Sequence, residues 1–433
     1  MAETRVFGIA KSQSRPAWVA LGVLCLVTSL NIIDRKILVI LQEPIKAELH
    51  LSDAQLGALT GLAFALVYCL ASFPIARFAD RVVRKNLLSG ALATWSGLTA
   101  AAGLATSFGA LVVCRMGVAV GEASCTSTSQ SLIADYYPPA ERVKANAIWA
   151  LSVPAGVILC YFLGGSLGQM VGWRNLLIGV GLGGLALAPA VWWLKEPKRG
   201  GQDHEGAEVM PLGAVLGALW RTKSLRYLVI GVGLHAFVLN TVGSWSAPFY
   251  SRVFKLPMGE VGFYLAVVIG VSGMIGMALG GVLASRLTKR DIRWYLWIPA
   301  LAGLLGLLAT AGQFLIGDLR LSLAFGFLGG VLTHMFTPCM WTCAQSLAPP
   351  AMRAFTAASV QFASSVVGLG VGPMLIGHVS DQLILLGYVS DSLRYAVVAS
   401  LLFGLASVPV FLLASVHLRR DLQGRMKEST SAG

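Results

Sequence analysis

Long apolar runs separated by short polar segments make up almost the whole chain. A helical run of about 20 residues, at 1.5 Å per residue, crosses the ~30 Å hydrocarbon core of a bilayer. The pattern therefore predicts an all-α membrane protein with twelve transmembrane helices. The predicted runs are roughly 17–42, 54–76, 86–107, 109–134, 145–168, 174–194, 226–250, 262–285, 294–316, 321–347, 355–380 and 393–416.

One long polar break, at 195–224, divides these runs six and six. Its second part, 211–220, is amphipathic and is predicted to lie on the membrane surface. We predict an N-terminal six-helix bundle over 1–194, a cytoplasmic linker over 195–224, a C-terminal six-helix bundle over 225–418 and a cytoplasmic tail over 419–433.

Composition supports a membrane protein and argues against other classes. Of 433 residues, 56% are hydrophobic and 12% are charged, against about 25% charged in ordinary soluble domains. The net charge of +13 is spread over short loops rather than a soluble domain, so nucleic acid is not an expected partner.

Lys and Arg are distributed unevenly over the two sides of the predicted topology. With the N-terminus inside, 24 of the 33 fall on internal segments, 6 on external segments and 3 within runs. Because positively charged loops stay in the cytoplasm, both termini and the linker are predicted to be cytoplasmic. The compact length favours a bacterial-type inner membrane.

No motif for catalysis is present in the sequence. It has no Gly-Lys-Ser/Thr nucleotide loop and no soluble domain large enough for an active site, so we predict that it is not an enzyme. Cys339 and Cys343 are one helical turn apart, but no His or acid completes a metal site. A monomer without metal or cofactor is predicted.

The two halves of the sequence repeat each other. The segment Ala76–Lys85 corresponds to Gly281–Arg290, 205 residues later, and Pro138–Arg142 corresponds to Pro349–Arg353, 211 residues later. A duplicated six-helix unit with both termini on one side gives two pseudo-symmetric bundles that face each other. That is the geometry of alternating access.

Two acids, Asp34 and Glu122, lie well inside predicted runs. An ionisable group at membrane depth costs at least ~2.5 kcal/mol and persists where it faces a partner or a water-filled cavity. Arg115 and Glu122 are seven residues apart and share a helix face. Asp34 and Arg35 are adjacent, about 100° apart around the helix, so each needs a partner elsewhere.

The loop Ala76–Lys85 resembles the signature of the major facilitator superfamily between its second and third helices. Ala76 and Val83 replace the two glycines of that signature. The resemblance implies the two-bundle fold and a latch that bridges to the opposite half in the outward-facing state. The second copy has Ser285 in place of the acid, so the latch is expected in the first copy. Its predicted gating residues are Asp80, Arg81 and Arg84.

Further stretches are similar to the spinster-like branch of that superfamily, which carries lysolipids and sphingosine phosphate. This resemblance implies proton-driven movement of an amphipathic substrate, powered by the proton gradient, with Asp34 and Glu122 as coupling residues. The stretches that carry it are 31–35, 115–123, 196–198 and 243–248.

The first and fourth helices are neighbours in the superfamily fold, and the depths of their charges suggest partners. We predict that Asp34 pairs with Arg115 and that Glu122 pairs with Arg35, with Asn31 in the same network. An anionic substrate head would compete for Arg35 or Arg115. The alternative is a static pair of salt bridges that holds the N-terminal bundle together.

The C-terminal half is predicted to supply a mostly apolar cavity wall, while the N-terminal half carries the charges. Such an asymmetry suits a substrate with a polar head and an apolar tail. The predicted wall residues are Trp245, Phe249, Tyr250, Phe336, Trp341 and Gln345.

Three functions remain open from the sequence. The first is a proton-coupled carrier of an amphipathic lipid, and the second is a carrier of drugs or small polar or anionic solutes. The third is a membrane sensor or scaffold that transports nothing. The first two differ in whether the cavity wall is apolar and open to the bilayer, for instance beside the glycine-rich eighth helix.

Overall fold

The computed structural model describes four stretches of the chain, residues 15–79, 81–198, 222–347 and 353–431. Every regular element in these stretches is helical. The predicted gating residue Asp80, the predicted amphipathic piece at 211–220 and the loop residues 348–352 lie outside them.

Twelve helices of membrane-spanning length run through the described part of the chain. Ten helical segments are long and apolar enough to cross a membrane. One of these, Glu141–Trp192, is two helices that meet at Gly172, whose φ of 80° residues with a Cβ rarely adopt. Arg84–Ala102 is less apolar, packs between its neighbours in the same half and completes the twelve.

We number these helices span 1 to span 12 in chain order. Span 1 is Arg15–Ile40, span 2 runs from Asp53–Gly57 through Ala58–Leu62 into Ala63–Ala79, and span 3 is Arg84–Ala102. Span 4 is Phe108–Glu122 followed by Cys125–Tyr136. Span 5 is Pro139–Ala150 followed by the part of Ser152–Trp192 up to Gly172, and span 6 is the rest of Ser152–Trp192. Span 7 is Lys223–Val253, span 8 joins Met258–Leu265, Ala266–Val271 and Ser272–Leu287, and span 9 is Trp294–Leu315. Span 10 is Leu319–His334 followed by Phe336–Leu347. Span 11 joins Arg353–Ala363, Ser364–Val371 and Gly372–Leu385, and span 12 is Ser392–Ser431.

The course of the chain distinguishes two ends of the bundle. The chain leaves the first half after Trp192 and enters the second half at Lys223, at what we call the linker end. The opposite end, which we call the distal end, carries the short connections after spans 1 and 7.

A short helix that the sequence analysis missed, Gln42–Leu49, follows span 1 at the distal end. Its Ile45 is buried against the bundle. Span 2 then begins with a capping box, in which the Ser52 hydroxyl accepts from the backbone N–H of Gln55 and the Gln55 side chain accepts from that of Ser52. This turn fixes Asp53 at the first position of span 2.

Spans 4 and 10, predicted as continuous runs, are each broken at one point. Span 4 stops at Glu122 and resumes at Cys125, while span 10 stops at His334 and resumes at Phe336. The repeat offset of 211 residues superimposes the two breaks. Paired interruptions in the two halves of a transporter point to a binding site near the middle of the membrane.

Three spans contain a π-helical stretch where the two halves meet. These stretches are Ala58–Leu62 in span 2, Ala266–Val271 in span 8 and Ser364–Val371 in span 11. The first packs against span 11 and the second against span 5. Because π turns are frequent at functional sites, these stretches indicate that the functional site lies at the interface between the halves.

Close helix contacts join the halves toward the distal end. A Cβ on Gly57 of span 2 would lie 2.3 Å from the carbonyl oxygen of Pro373, in span 11. A Cβ on Gly262 of span 8 would lie 2.3 Å from that of Tyr161, in span 5. Both positions therefore need glycine, since no side chain fits between the two backbones.

The apolar core has a matching organisation. One large cluster toward the distal end mixes buried residues of both halves, including Leu41 and Leu56 of the first half and Phe249 and Val261 of the second. Toward the linker end, one cluster belongs mainly to the first half and another to the second. The halves are thus packed as one body at the distal end and as two bodies at the linker end.

Candidate functional site

Three successive charged residues of span 1, Asp34, Arg35 and Lys36, form the centre of the candidate site. Successive helical residues lie about 100° apart around the axis, so the three side chains have different neighbours. Asp34 faces spans 3, 4 and 6, Arg35 faces spans 2 and 4, and Lys36 lines the space between the halves.

Glu122, the last residue before the break in span 4, pairs with Arg35. The Arg35 guanidinium donates to Oε2 of Glu122 from Nε at 3.2 Å and from Nη2 at 3.1 Å. Nη2 also donates to Oδ1 of Asn31 at 3.4 Å, and the guanidinium lies 5.0 Å from the ring of Phe64 and 4.8 Å from that of Tyr68. The predicted pairing of Glu122 with Arg35 is confirmed, and Asn31 belongs to the network.

The predicted pairing of Asp34 with Arg115 is wrong. Arg115 donates to two backbone carbonyls of span 1, that of Asp34 at 2.9 Å and that of Arg35 at 2.7 Å. Its guanidinium also lies 4.6 Å from the ring of Phe64. Arg115 lies level with Asp34 along the helices, but it reaches the backbone of span 1 rather than the carboxyl group.

Asp34 is 1% exposed, and neither of its carboxyl oxygens makes a hydrogen bond with a described residue. It borders a void of about 20 Å³ together with Thr99, Leu111 and Leu177. The void is on the scale of a single water molecule and is lined mostly by apolar groups. Asp34 is therefore enclosed within the first half rather than facing the space between the halves.

A cavity of about 230 Å³ lies between the halves. Its first-half wall comes from spans 1 and 5, including Lys36 and Val157, and its second-half wall comes from spans 7 to 10. Most lining residues are apolar, but several polar side chains also line the cavity. The polar side chains that the second half contributes are Asn240, Ser246, Thr310, Gln313, Thr333 and His334.

None of the six predicted wall residues lines this cavity. Trp245, Phe249 and Tyr250 are fully buried in the packed core, and Trp245 donates to the carbonyl of Pro373 at 3.0 Å. Phe336 packs 4.3 Å from the ring of His235. The prediction is wrong for these four because the sequence did not show which face of each helix turns inward.

The cavity face of span 7 is displaced from its aromatic face. Asn240, Gly243 and Ser246, spaced three residues apart, line the cavity. Trp245 and Phe249 form the other face, which packs into the core. Trp341 is partly buried and Gln345 is exposed, and neither borders this cavity; a wall role elsewhere between the halves stays a prediction.

A charge cluster at the distal end, which we call the distal lock, joins the halves and was missed by the sequence analysis. Arg252 of span 7 donates to Oε1 of Glu43 at 2.8 and 3.0 Å and to both oxygens of Asp53, at 2.7 and 2.8 Å. Lys46 also contacts Asp53, which is 0% exposed. Two cations, one from each half, thus converge on one buried carboxylate.

Span 11 completes the distal lock. The Asp381 carboxylate accepts from the backbone N–H groups of Asp53 at 3.0 Å and Ala54 at 2.9 Å, and the Ser380 hydroxyl donates to Asp53 at 2.8 Å. Asp381 therefore caps the N-terminus of span 2 from the opposite half. The acids at the distal ends of the runs were the sequence signal for this cluster.

The linker end is held together within each half. Arg84 is 3% exposed and donates to Glu196 at 2.8 Å as well as to Asp135, both in the first half. In the second half, Asp291 pairs with Arg293 at 3.0 Å and with Arg419 at 2.8 Å.

The predicted gating latch is not assembled across the halves by Arg84 in this conformation. Arg81 is exposed, and Asp80 lies outside the described residues. Between described residues, the polar contacts identified across the two halves lie toward the distal end, from Tyr161 with Gly243 up to the distal lock. The conformation is closed at the distal end.

Comparison with known proteins decides the family. The model of the Major Facilitator Superfamily matches residues 24–373. The chain belongs to the Major Facilitator Superfamily. An "MFS-type efflux pump" of Mycolicibacterium smegmatis is 31% identical over 416 residues, which cover 94% of this chain and 95% of the pump. "Protein spinster homolog 3" of Danio rerio is 25% identical over 445 residues, covering 94% and 86% of the two chains.

A solved structure gives the same assignment. The crystal structure of a bacterial homolog to the human lysosomal transporter Spinster, in an inward-facing and unoccupied conformation, matches with a TM-score of 0.86 and 27% identity. The match covers 95% of this chain and 99% of that one. The protein is a major facilitator transporter of the spinster type, which confirms the predicted family and fold class.

Proposed function

We propose that the protein is a proton-coupled secondary transporter that moves an amphipathic, lipid-like substrate of the lysophospholipid or sphingosine-phosphate kind by alternating access. It works as a monomer in a bacterial-type inner membrane, with the linker end and both termini in the cytoplasm. The observation that carries this proposal is a cavity between two halves that are locked at the distal end and joined there by charges from both.

The proposed proton coupling rests on two buried acids with different surroundings. Neither carboxyl oxygen of Asp34 accepts a well-formed hydrogen bond from a described residue, although Trp95 and Thr99 lie beside it, and a poorly solvated carboxylate is costly at membrane depth. Asp34 therefore carries its proton in the distal-closed conformation. Glu122 is ionised beside Arg35, and its protonation would release that guanidinium.

The two acids then act in sequence. Opening of the distal end exposes the distal side of the first half and admits water to Asp34, which then releases its proton on that side of the membrane. Asp34 and Arg35 are adjacent on one rigid helix, so a change at either residue is transmitted to the other. The gating residues Asp80, Arg81 and Arg84 hold the linker end when it closes.

The lipid-like substrate is supported by the character of the cavity. A mostly apolar wall with a polar group at one side matches a head and a tail. At about 230 Å³ the cavity holds a head group and the beginning of a chain, so the remainder of a long tail lies outside it.

A second candidate function is efflux of drugs or small polar or anionic solutes. It is supported by the relative named "MFS-type efflux pump", which matches over nearly the whole of both chains. The size of the cavity also suits a small solute without a long tail.

Transport by the purified protein in proteoliposomes tests these proposals. We expect a pH gradient to drive accumulation of a fluorescent lysophospholipid, and we expect Asp34→Asn and Glu122→Gln to abolish that accumulation separately. Glu260→Gln, which alters an exposed acid, is the matched control and should behave as the wild type.

The outcomes separate the alternatives. Undiminished gradient-driven transport by Asp34→Asn would remove Asp34 from the mechanism. A Glu122→Gln variant with a lower melting temperature but normal transport would make its ion pair a static support. Accumulation of a cationic drug or sugar but no lysolipid would favour the second candidate, and no accumulation of any compound would favour a sensor or scaffold.

A further inference from the structure

Lys36 is the formally charged side chain in the wall of the cavity between the halves, within the part of the chain that the structure describes. Its Nζ lies 4.0 Å from the position that a Cβ on Gly243 would occupy. Lys36 thus extends from span 1 of the first half to span 7 of the second. The sequence analysis gave Lys36 no role.

No described acid neutralises this ammonium group. The charged side chains nearest to it are Arg35 and Arg115, which have the same sign. Asp34, two residues earlier, lies about 200° around the helix and faces the interior of the first half. A positive charge therefore lies at the edge of a mostly apolar cavity without a counter-ion among the described residues.

Neither arginine of the network lines this cavity, and both are engaged elsewhere. Arg35 is held by Glu122 and lies against the rings of Phe64 and Tyr68. Arg115 is 4% exposed and donates to two carbonyl oxygens of span 1. We had expected an anionic head group to bind Arg35 or Arg115. In this conformation, Lys36 is better placed to bind it.

The facing wall carries polar groups with unused hydrogen-bonding capacity. Asn240 donates its Nδ2 to the carbonyl of Ala236 at 2.9 Å, which leaves its carbonyl oxygen. His334 uses Nδ1 on the carbonyl of Gly330 at 2.8 Å, and its Nε2 is directed toward Gly273 in the cavity wall. These groups can accept from the hydroxyls of a head group whose anionic oxygens bind Lys36.

We propose that Lys36 forms a subsite for a single anionic group, a phosphate or carboxylate, of an amphipathic substrate. The apolar part of that substrate lies against Val157, Met274 and Met277 of the same cavity. The proposal rests on the proposed transport function and narrows its substrate class to anionic amphiphiles. The same charge disfavours permanently cationic compounds.

Binding to the purified full-length protein tests the subsite with a matched pair of ligands. Oleoyl lysophosphatidic acid and monooleoylglycerol share one tail and differ in the phosphate. We expect the wild type to bind the phosphate-bearing ligand about tenfold or more tightly, as one charge-assisted contact predicts. Lys36→Gln should remove that preference, and Lys36→Arg should keep most of it.

Lys255→Gln is the control, because it removes one positive charge from an exposed residue at the distal end and leaves the cavity unchanged. It should retain the wild-type preference. Inorganic phosphate should compete only at concentrations far above those of the lipid, since it lacks the apolar part. Competition at equal concentrations would show a phosphate site and overturn the amphiphile assignment.

Equal preference in wild type and Lys36→Gln would overturn the role of Lys36. Melting of each variant without ligand shows whether it is folded. If Lys36→Gln does not fold, the absence of any preference in the wild type would still overturn the proposal. In proteoliposomes, equal transport of the two ligands would refute this subsite alone, whereas no transport of either would refute the proposed function.

Discussion

The distal end and the linker end of the transporter differ in what holds the two halves together. At the distal end, Arg252 of one half and Asp53 of the other share a buried ion pair, and glycine-mediated helix contacts bring the backbones together. At the linker end, Arg84 and Asp291 pair with residues of their own half. Opening the distal end must therefore break bonds that opening the linker end does not.

This difference explains how each half can be rigid while the two halves move relative to each other. Each half keeps its own apolar core and its own ion pairs at the linker end, so it can rotate as a body. In this conformation, the ion pairs that join described residues of the two halves are concentrated in a few distal side chains.

The largest effect is expected from Arg252→Ala. It leaves the Asp53 carboxylate, which is 0% exposed, without its main partner, and breaking a buried pair costs about 3–5 kcal/mol. Spin labels on Ala47 and Lys255, one on each half, should move apart because the distal end opens. Pulsed electron resonance measures this distance.

Arg174→Ala is the matched control for that experiment. Arg174 bonds Glu48 at 2.8 Å at the same end, but both residues belong to the first half, where the arginine lowers the pKa of Glu48. The label distance should stay unchanged. A shift of equal size in both variants would show that distal charge in general, rather than the distal lock, keeps this end closed.

Gly262→Val is expected to have the next largest effect. A Cβ there would lie 2.3 Å from a carbonyl oxygen of span 5, so spans 5 and 8 must separate at a cost of roughly 2–3 kcal/mol. The same substitution at Gly281, where nothing lies within 4 Å of an added Cβ, is the control on the same span. Distal closure that is equally tight in both variants would contradict the close-contact interpretation.

The sequence predicted the features that depend on the periodicity of apolar residues and on the positions of charges along the chain. Twelve runs, the repeat and the pairing of Glu122 with Arg35 all follow from where apolar residues and charges fall along the chain. The orientation of side chains around a helix is a tertiary property, and for that reason Asp34 with Arg115 and the aromatic wall were wrong.

The distal lock was missed for a related reason. Asp53 lies one residue outside the predicted run 54–76, and Arg252 lies two residues outside 226–250. Charges at helix ends are usually solvated, so only the approach of the two halves shows that Asp53 is buried. The helix Gln42–Leu49, which supplies Glu43, was likewise hidden in a presumed loop.

Arg84→Lys tests the other side of the comparison, with a smaller effect. The lysine keeps the charge but loses the fork that binds Glu196 and Asp135 together, at a cost of about 1.5 kcal/mol. The melting temperature should fall, and the distance between the distal labels should not change. A distal end that opens in this variant would contradict the view that Arg84 stabilises only its own half in this conformation.

The smallest effect is expected from Asp291→Asn at the linker end. Hydrogen bonds from Arg293 lower the pKa of Asp291 to about 2, below its ordinary value near 3.9. Because the pKa is depressed in the folded protein, the carboxylate stabilises the fold above about pH 4 and loses that contribution as the pH falls toward 2.

A solvent-facing pair contributes less than about 1 kcal/mol, so the melting temperature of Asp291→Asn should lie slightly below that of the wild type at pH 7. The difference should shrink as the pH falls from 4 to 2, and the distal labels should report no movement at either pH. A difference that instead grew on acidification would mean that protonated Asp291 is the stabilising form, which is the opposite of what its two arginine partners require.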